Sequence, residues 1–217
     1  KVRRRFLDWG LFHVEQSFSQ FSNRYTKLLK NKNALLKKGE LSSSSQVQFW
    51  DAELAKMGED ITTYRISSLE AIKPYLNSNL SEFLPEFSFE ISYHRGWEKD
   101  LNLLEAIHQK TDKDIRYGFL SVGPHKADLR IRIDGTNAIE VLSRGQLRML
   151  VAALQLAQTQ YLNNTVSKSC VFLLDDIGAE LDETKREIFI DKLLDCEAQI
   201  FVTAIDKTQL GFIDKYN

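Results

Sequence analysis

The chain has 217 residues, of which 43% are hydrophobic and 27% charged, and only three are proline. This composition excludes a disordered segment and allows one large core or two modest ones. The formal net charge is −1, but it is unevenly spread, because residues 1–38 contain ten Lys or Arg against two Asp or Glu. A basic segment of this kind indicates either a contact with nucleic acid or an ordinary solvated helix face.

The two cysteines, Cys170 and Cys196, are too few for a disulfide framework. Apolar neighbours around Cys170 predict a buried free thiol. No apolar run reaches the ~18 residues that span a bilayer, and no signal-peptide pattern is present. We therefore expect a cytoplasmic protein without a membrane contact. The first residue is Lys1 and no methionine precedes it, which suggests a piece of a longer protein.

Two helical patterns dominate the first third of the chain. Apolar residues recur at spacings of three and four over residues 11–38 and again over 47–76. Eight mostly polar residues, Gly39 to Gln46, separate them, so we predict a helical hairpin over about residues 11–76. Pro74 should kink or end the second helix. The hairpin would form a projecting arm, and an ordinary globular helix pair stays open as the alternative.

Shorter elements follow the hairpin. Period-two alternation predicts a strand over 87–93. Short strands are also predicted over 127–133 and 138–142, with Asp134-Gly135 as a hairpin turn. A short helix is predicted over 97–108. The rest alternates between types: helix 146–162, strand 170–174, helix 183–194 and strand 199–203. This alternation predicts parallel βαβ units. We expect an α/β fold with a mostly helical arm domain (1–114) and part of a nucleotide-binding lobe (115–217).

The run Ser143-Arg144-Gly145-Gln146 opens the helix predicted over 146–162. Serine is a favoured N-cap, and the first turn of a helix exposes unpaired N–H groups that carry partial positive charge. A glycine there lets a phosphate approach the backbone. An ordinary capped helix fits the same residues, so this run by itself is a weak indication of a phosphate site.

A second run is more specific. An apolar strand, Cys170 to Leu174, ends in Asp175-Asp176, which places two carboxylates at the end of a sheet where α/β proteins bind ligands. Asp175 suits a Mg²⁺ ion held through water and phosphate oxygens, and Asp176 could orient or deprotonate an attacking water. Helix caps or a metal-dependent nuclease would also use paired acids at this place.

The two runs in this order resemble the ATP-binding cassette superfamily, and within it the RecF family of bacterial DNA-repair ATPases. The motifs that carry the resemblance are Arg3-Arg4-Arg5-Phe6-Leu7-Asp8, Gly123-Pro124-His125-Lys126-Ala127-Asp128-Leu129, Leu142-Ser143-Arg144-Gly145-Gln146, Leu173-Leu174-Asp175-Asp176 and Ala179-Glu180-Leu181-Asp182. They are spread over almost the whole chain. The resemblance implies part of a P-loop NTPase lobe of the cassette and SMC type.

The resemblance also implies a role for each site residue. Ser143 and Gly145 would contact the γ-phosphate of ATP across a homodimer, with Arg144 and Gln146 shaping that turn. Asp175 would hold Mg²⁺ and Asp176 would take the place of the catalytic base. Asp182 would belong to a loop along the dimer seam. His125 lies in a family motif, and we expect an ordinary surface or core histidine there.

At the level of function, the resemblance implies a slow ATPase that dimerises on single-strand/duplex DNA junctions or gaps. It implies a RecR-type mediator as partner and recombinase loading as the outcome. Basic residues of the first segment, Arg3–Arg5 and the lysines of the first helix, are candidates for DNA contact on charge grounds. A non-catalytic interaction module and a metal-dependent nuclease are the competing classes.

The chain departs from the family pattern in two ways. None of its ten glycines is followed by lysine, so the phosphate loop G-x-x-x-x-G-K-[ST] is absent from these residues. In the family that loop lies upstream, so we expect a C-terminal fragment that by itself binds ATP poorly or not at all. Ala204 stands where transporter relatives have a switch histidine, which argues against a γ-phosphate sensor at that point.

Overall fold

The structure, a computed structural model, describes residues 2–39, 45–167, 169–175 and 183–205. The chain divides into two compact units that interleave in sequence. Unit 1 comprises residues 1–69 and 92–130, and unit 2 comprises residues 70–91 and 131–217. The predicted functional division into continuous segments 1–114 and 115–217 stays a prediction.

The helices are α1 (Val2–Val14), α2 (Gln16–Lys38), α3 (Ser45–Phe83), α4 (Leu103–Gln109), α5 (Thr111–Tyr117), α6 (Ala138–Val141), α7 (Arg144–Val166) and α8 (Glu183–Asp195). The strands are β1 (Phe89–His94), β2 (Asp128–Ile133), β3 (Thr136–Asn137), β4 (Val171–Leu174) and β5 (Gln199–Val202). No helix among the described residues has a stretch long and apolar enough to cross a membrane.

The helix predicted from residue 11 to 38 is in fact two helices, so that prediction was wrong at its start. The break between α1 and α2 falls at Glu15, which has extended backbone and caps α2 by accepting a hydrogen bond from the Ser17 amide at 3.2 Å. The first amides of a helix have no acceptor within the helix, and the Glu15 carboxylate supplies one for the Ser17 amide. At the other end, α2 stops at Gly39, as predicted.

The predicted hairpin is present in unit 1. Side-chain contacts pair successive positions of α2 with α3 positions that run the opposite way: Ser17 with Tyr64, Arg24 with Glu53 and Lys32 with Asp51. The two helices are therefore antiparallel. Five of the eight residues predicted as the connecting turn, 40–44, lie outside the described residues.

The predicted stop at Pro74 was wrong, because α3 is one helix that runs nine residues further, to Phe83, and the alternative of a kink at Pro74 stays a prediction. A proline costs a helix one backbone hydrogen bond. Burial of the neighbouring side chains offsets that loss, since Ile72, Leu76, Leu80 and Phe83 are each at most 3% exposed.

The helix predicted over 97–108 was also placed too early. The observed α4 begins after Asn102, whose side chain accepts from the Glu105 amide at 2.8 Å while the Glu105 side chain accepts from the Asn102 amide at 2.9 Å. This capping box starts the helix. Trp97 lies before this helix, in an irregular segment. Its indole N–H donates a hydrogen bond to the Leu101 carbonyl. Helix α5 was not predicted.

Among the described residues, β1, β2 and β3 form a sheet in that order. The predicted turn at Asp134-Gly135 is confirmed, and both residues have positive φ, 49° and 76°. The strand predicted over 138–142 was wrong: β3 is only Thr136–Asn137, and Ala138–Val141 forms the short helix α6. The Leu142 amide donates a hydrogen bond to the Ala138 carbonyl four residues earlier, which is the bond of an α-helical turn.

Unit 2 contains the predicted βαβ arrangement. Strands β4 and β5 are parallel, with Val171 opposite Gln199 and Leu174 opposite Val202, and α8 lies between them in sequence. Phe189 of α8 has ring contacts with Phe172 of β4. The α/β fold prediction is confirmed. Both cysteines are free thiols; Cys196 is buried, whereas Cys170 is only partly buried, against expectation.

Candidate nucleotide-binding site

The predicted phosphate-contacting turn forms the N-terminus of α7. Ser143 is the N-cap: its hydroxyl accepts from the Gln146 amide at 3.3 Å, and the Gln146 side chain accepts from the Ser143 amide at 2.9 Å. This reciprocal capping box holds the two side chains together and fixes the first turn of the helix. It also leaves the amides between them available.

Those amides belong to Arg144 and Gly145, and neither has a hydrogen-bond acceptor among the described residues. Both residues are exposed. A Cβ built on Gly145 meets no atom within 4 Å, so the surface there is open. Two free N–H groups at the positive end of a 23-residue helix are suited to a phosphate oxygen.

A residue without a sequence signal supports this turn. The Gln146 side-chain amide donates to the Glu86 carboxylate at 3.2 Å, across 60 residues of sequence. The contact orients Gln146 so that its oxygen faces the Ser143 amide. Only the three-dimensional structure brings Glu86 to this position.

The predicted metal ligand, Asp175, directly follows β4. Its Oδ1 accepts a hydrogen bond of 2.6 Å from the Thr203 hydroxyl, and Thr203 follows β5. The Thr203 amide in turn donates to the Leu174 carbonyl at 2.9 Å. The two residues thus meet at the carboxyl ends of adjacent parallel strands, where α/β sheets bind ligands.

Asp175 fits a magnesium site of the kind that uses few protein ligands. Its side chain is exposed, and Oδ2 has no partner among the described residues. Within the described ranges, no cluster of three or more His, Cys, Asp or Glu could hold a metal by itself. Mg²⁺ is commonly held by one or two carboxylates together with phosphate oxygens and water, and one exposed carboxylate suits that mode.

The other two predicted residues of the site, Asp176 and Asp182, lie outside the described residues. Sequence reasoning missed Thr203 as a neighbour of Asp175. A signal was available, because Thr203 is the first polar residue after the run Ile200-Phe201-Val202, as Asp175 is after its own apolar strand. Parallel neighbours bring such strand ends together.

In unit 1 the structure joins two of the family motifs. Arg4 donates to the carbonyls of His125 at 2.6 Å and Ala127 at 3.1 Å, and Arg3 forms an ion pair with Asp128. These two arginines, candidates for DNA contact on charge grounds, are therefore engaged within the protein. Arg5 is exposed.

The same motif is held from the other side by Arg65. Its guanidinium makes two hydrogen bonds to the Asp8 carboxylate, at 2.7 and 2.9 Å, and one to the Pro124 carbonyl at 2.8 Å. The bidentate geometry fixes the arginine, and the arginine fixes the loop. Lys32, one of the first-helix lysines named as candidates for DNA contact on charge grounds, is buried and paired with Asp51.

His125 is a structural residue of this cluster, in line with the core-histidine expectation. Its Nε2 donates to the Leu120 carbonyl at 2.9 Å, so Nδ1 accepts from the Tyr25 hydroxyl at 2.7 Å. Burial lowers the pKa of His125 to about 4 and raises the pKa of Tyr25. The neutral imidazole therefore joins two segments of unit 1 near neutral pH.

Comparisons with known proteins give one consistent family. The profile described as RecF/RecN/SMC N terminal domain matches residues 15–216. The protein named DNA replication and repair protein RecF from Pseudoalteromonas atlantica is 55% identical over 217 residues, covering 100% of this chain and 60% of the relative. Its namesake from Vibrio parahaemolyticus is 40% identical over 211 residues, covering 97% and 58%.

A solved structure is similar as well. The recombination mediator protein RecF-ATP in the RecFOR pathway superposes with a TM-score of 0.81 at 27% identity, over 94% of this chain and 57% of that one. The resemblance found in the sequence motifs is confirmed. The chain spans about 60% of the length of the curated relatives it matches.

Proposed function

Because this chain belongs to the RecF/RecN/SMC N-terminal domain family, we propose that it is part of an ATP-dependent DNA-binding protein of recombinational repair and replication-fork maintenance. The names of the relatives and the ATP in a solved relative support this proposal. The full-length protein would act in the bacterial cytoplasm, at the nucleoid. It would dimerise with ATP on gapped DNA or on single-strand/duplex junctions.

The observation that carries the proposal is the open N-terminus of α7. The free amides of Arg144 and Gly145 point out of a turn that Ser143 and Gln146 hold in place. In a head-to-tail dimer these amides would bind the γ-phosphate of the nucleotide held by the neighbouring subunit. Hydrolysis would remove that phosphate and release the dimer, so ATP would act as the link between subunits.

The strand-end carboxylates would serve the nucleotide of their own subunit. Asp175 would hold Mg²⁺, which neutralises charge on the phosphates when bound, and the Thr203 hydroxyl would orient this carboxylate. Asp176 would orient or deprotonate the attacking water, and Asp182 would lie at the dimer seam. Each subunit would thus supply half of each ATP site. A RecR-type mediator would act on the DNA-bound dimer to promote recombinase loading.

The central test changes Gly145 in the full-length protein. In Gly145→Asp, the added carboxylate favours the helix N-terminus but repels a phosphate. We expect ATP-driven dimerisation to be lost while each subunit still binds ATP, as measured by light scattering and nucleotide titration. Val151→Asp, which places the same charge at an exposed position of α7, should leave dimerisation unchanged. Dimerisation of Gly145→Asp at the level of the unaltered protein would overturn the proposal.

Further measurements address the shared ATP site and the competing classes. Titration calorimetry on the 217-residue chain should show weak or undetectable ATP binding, and micromolar affinity would contradict the shared site. Asp176→Asn in the full-length protein should slow hydrolysis and prolong the dimer. Cleavage of DNA with Mg²⁺ but without ATP would identify a nuclease instead. Function that persists without ATP-driven dimerisation would identify an interaction module.

A further inference from the structure

Two exposed aromatic rings stack on each other at the surface of unit 1. Tyr117 is 55% exposed and Phe119 is 41% exposed. Their ring centroids are 5.7 Å apart and their planes differ by 26°. The two rings form an exposed apolar patch, whereas most other large apolar side chains of unit 1 are buried. Such a patch on a surface indicates an interaction site.

The residue between the rings explains their arrangement. Gly118 ends α5 in the left-handed conformation, with φ of 69°, which turns the chain so that the two flanking side chains meet. The side chain of Lys37, from the end of α2, lies directly over this glycine, since a Cβ built on Gly118 would be 3.0 Å from the Lys37 Cγ. The patch therefore lies where the ends of two helices, α2 and α5, meet.

One ammonium group lies over each ring. The ammonium of Lys113 lies 5.5 Å from the Tyr117 ring centroid, and that of Lys126 lies 4.7 Å from the Phe119 ring centroid. Lys37, Lys113 and Lys126 are all exposed. Of the two acids among residues 111–126, Asp114 is buried and accepts from the Ser121 amide, so Asp112 is the one exposed acid in that segment.

We propose that this aromatic platform, Tyr117 and Phe119 with Lys37, Lys113 and Lys126, binds single-stranded DNA. Unpaired bases would stack on the rings and the lysines would contact the phosphates, which is how proteins hold single strands without reading their sequence. In a duplex the base faces are covered by their neighbours, so the rings select unpaired bases. The inference rests on the proposed function, because it presumes that the protein binds DNA.

The lysines already over the rings do not prevent stacking. An exposed cation–π contact is weaker than a base stacked on an aromatic ring, so a base can displace a flexible ammonium from the ring face. The displaced ammonium stays on the same side chain, within reach of the adjacent phosphate. Charge and stacking are therefore complementary to one ligand, a polyanion with flat apolar faces.

The test compares two strands in fluorescence anisotropy with the full-length protein. One is an oligothymidine and the other is an abasic strand of equal length, which keeps the phosphates and lacks the bases. Tyr117→Ala with Phe119→Ala should weaken binding of oligothymidine about tenfold or more and leave binding of the abasic strand unchanged. Tyr117→Trp keeps an aromatic ring beside Phe119 and should bind oligothymidine as well as the unaltered protein does. Phe49→Ala removes an exposed ring on α3 and should have no effect.

Lys113→Gln with Lys126→Gln should weaken both strands and reduce the salt dependence of binding. Unchanged oligothymidine binding by the double-alanine variant, in a protein that does bind DNA, would overturn the platform and leave the proposed function intact. Absence of DNA binding by the unaltered protein would overturn both. Normal DNA binding with loss of binding to a mediator protein would assign the rings to a protein partner and overturn the inference.

Discussion

The two units differ in how completely they bury their apolar residues. Unit 1 encloses one apolar cluster and joins its segments through polar contacts, of which the pair between buried Arg65 and partly buried Asp8 is an example. Unit 2 buries the interior faces of α7 and α8, yet three apolar side chains of its parallel strand pair are more than half exposed: Val171, Leu173 and Phe201. Parallel strands are ordinarily covered on both faces.

The difference shows where each unit can accept further surfaces. The predicted nucleotide contacts are in unit 2, at Ser143 to Gln146 and at Asp175. Among the described residues of that unit, apolar side chains of β4 and β5 are exposed, and the first amides of α7 have no acceptor. The family motifs around His125 lie in the enclosed unit and serve to hold its segments together. Residues of a shared site must stay accessible, whereas residues that join segments gain strength from burial.

The largest effect is expected from breaking the enclosed polar contacts of unit 1. Arg65→Met removes the buried arginine of an ion pair whose Asp8 side is partly buried, and it leaves Asp8 and the Pro124 carbonyl without the Arg65 donors. The free energy of unfolding should fall by about 3–5 kcal/mol, measured by urea denaturation. Arg24→Met breaks the exposed pair with Glu53 and should cost less than about 1 kcal/mol. Equal effects of the two changes would show that the buried contacts do not stabilise unit 1.

Within unit 2, a buried and an exposed leucine should differ sharply. Leu193→Ala removes a side chain that is 0% exposed, and should lower the free energy of unfolding by about 2–5 kcal/mol. Leu173→Ser alters a side chain that is 77% exposed. In the 217-residue chain it should change the free energy of unfolding by less than about 0.5 kcal/mol.

The same Leu173→Ser change in the full-length protein sharpens this contrast. If further residues cover β4 and β5 in the full-length protein, Leu173→Ser should lower the free energy of unfolding by about 2 kcal/mol, the value of burying a leucine. An effect as small as in the 217-residue chain would show that this face is exposed in the full-length protein too. Thermal and urea denaturation of both lengths would provide the comparison.

His125 should make the stability of unit 1 depend on pH. Its pKa is about 4 in the folded protein and about 6.5 in an unfolded chain, so the unfolded state binds the proton first as the pH falls. The free energy of unfolding should therefore drop by up to about 3 kcal/mol between pH 6.5 and 4 through this group, with the full contribution present above pH 6.5. In His125→Gln this part of the pH dependence should disappear. His108→Gln, at an exposed position, should retain it.

Small effects of opposite sign are expected at the open turn of α7. Ser143→Ala removes the N-cap and should cost about 1 kcal/mol, whereas Gly145→Ala meets open space and should stabilise the chain by about 0.5 kcal/mol. Stability measured by denaturation should thus move in opposite directions at neighbouring positions. A loss for Gly145→Ala as large as that for Ser143→Ala would show that the turn is not open.

Much of the fold could be predicted because its signals are local. The capping box Ser143–Gln146 starts α7, and the apolar runs of β4 and β5 with a helix between them predicted a parallel pair, as observed. The errors came partly from a local cap that the apolar pattern does not show and partly from packing against residues distant in sequence. Glu15 caps α2 and divides a continuous apolar pattern, and burial carries α3 beyond Pro74. The site was predictable as residue types; its partner Glu86 has no signal in the sequence, and the signal for Thr203 after the run Ile200-Phe201-Val202 was missed.

The sequence by itself determined the family, the start of α7 and the presence of a carboxylate at the end of β4, because each depends on residues within a short stretch. The tertiary structure decided what those residues and the basic segment contact. Arg3 and Arg4 bind residues 125–128, more than 120 positions away, and Tyr117 and Phe119 form a platform only where α5 meets the end of α2. Pairing across such separations depends on how the helices pack, and no local pattern of charge or hydrophobicity specifies it.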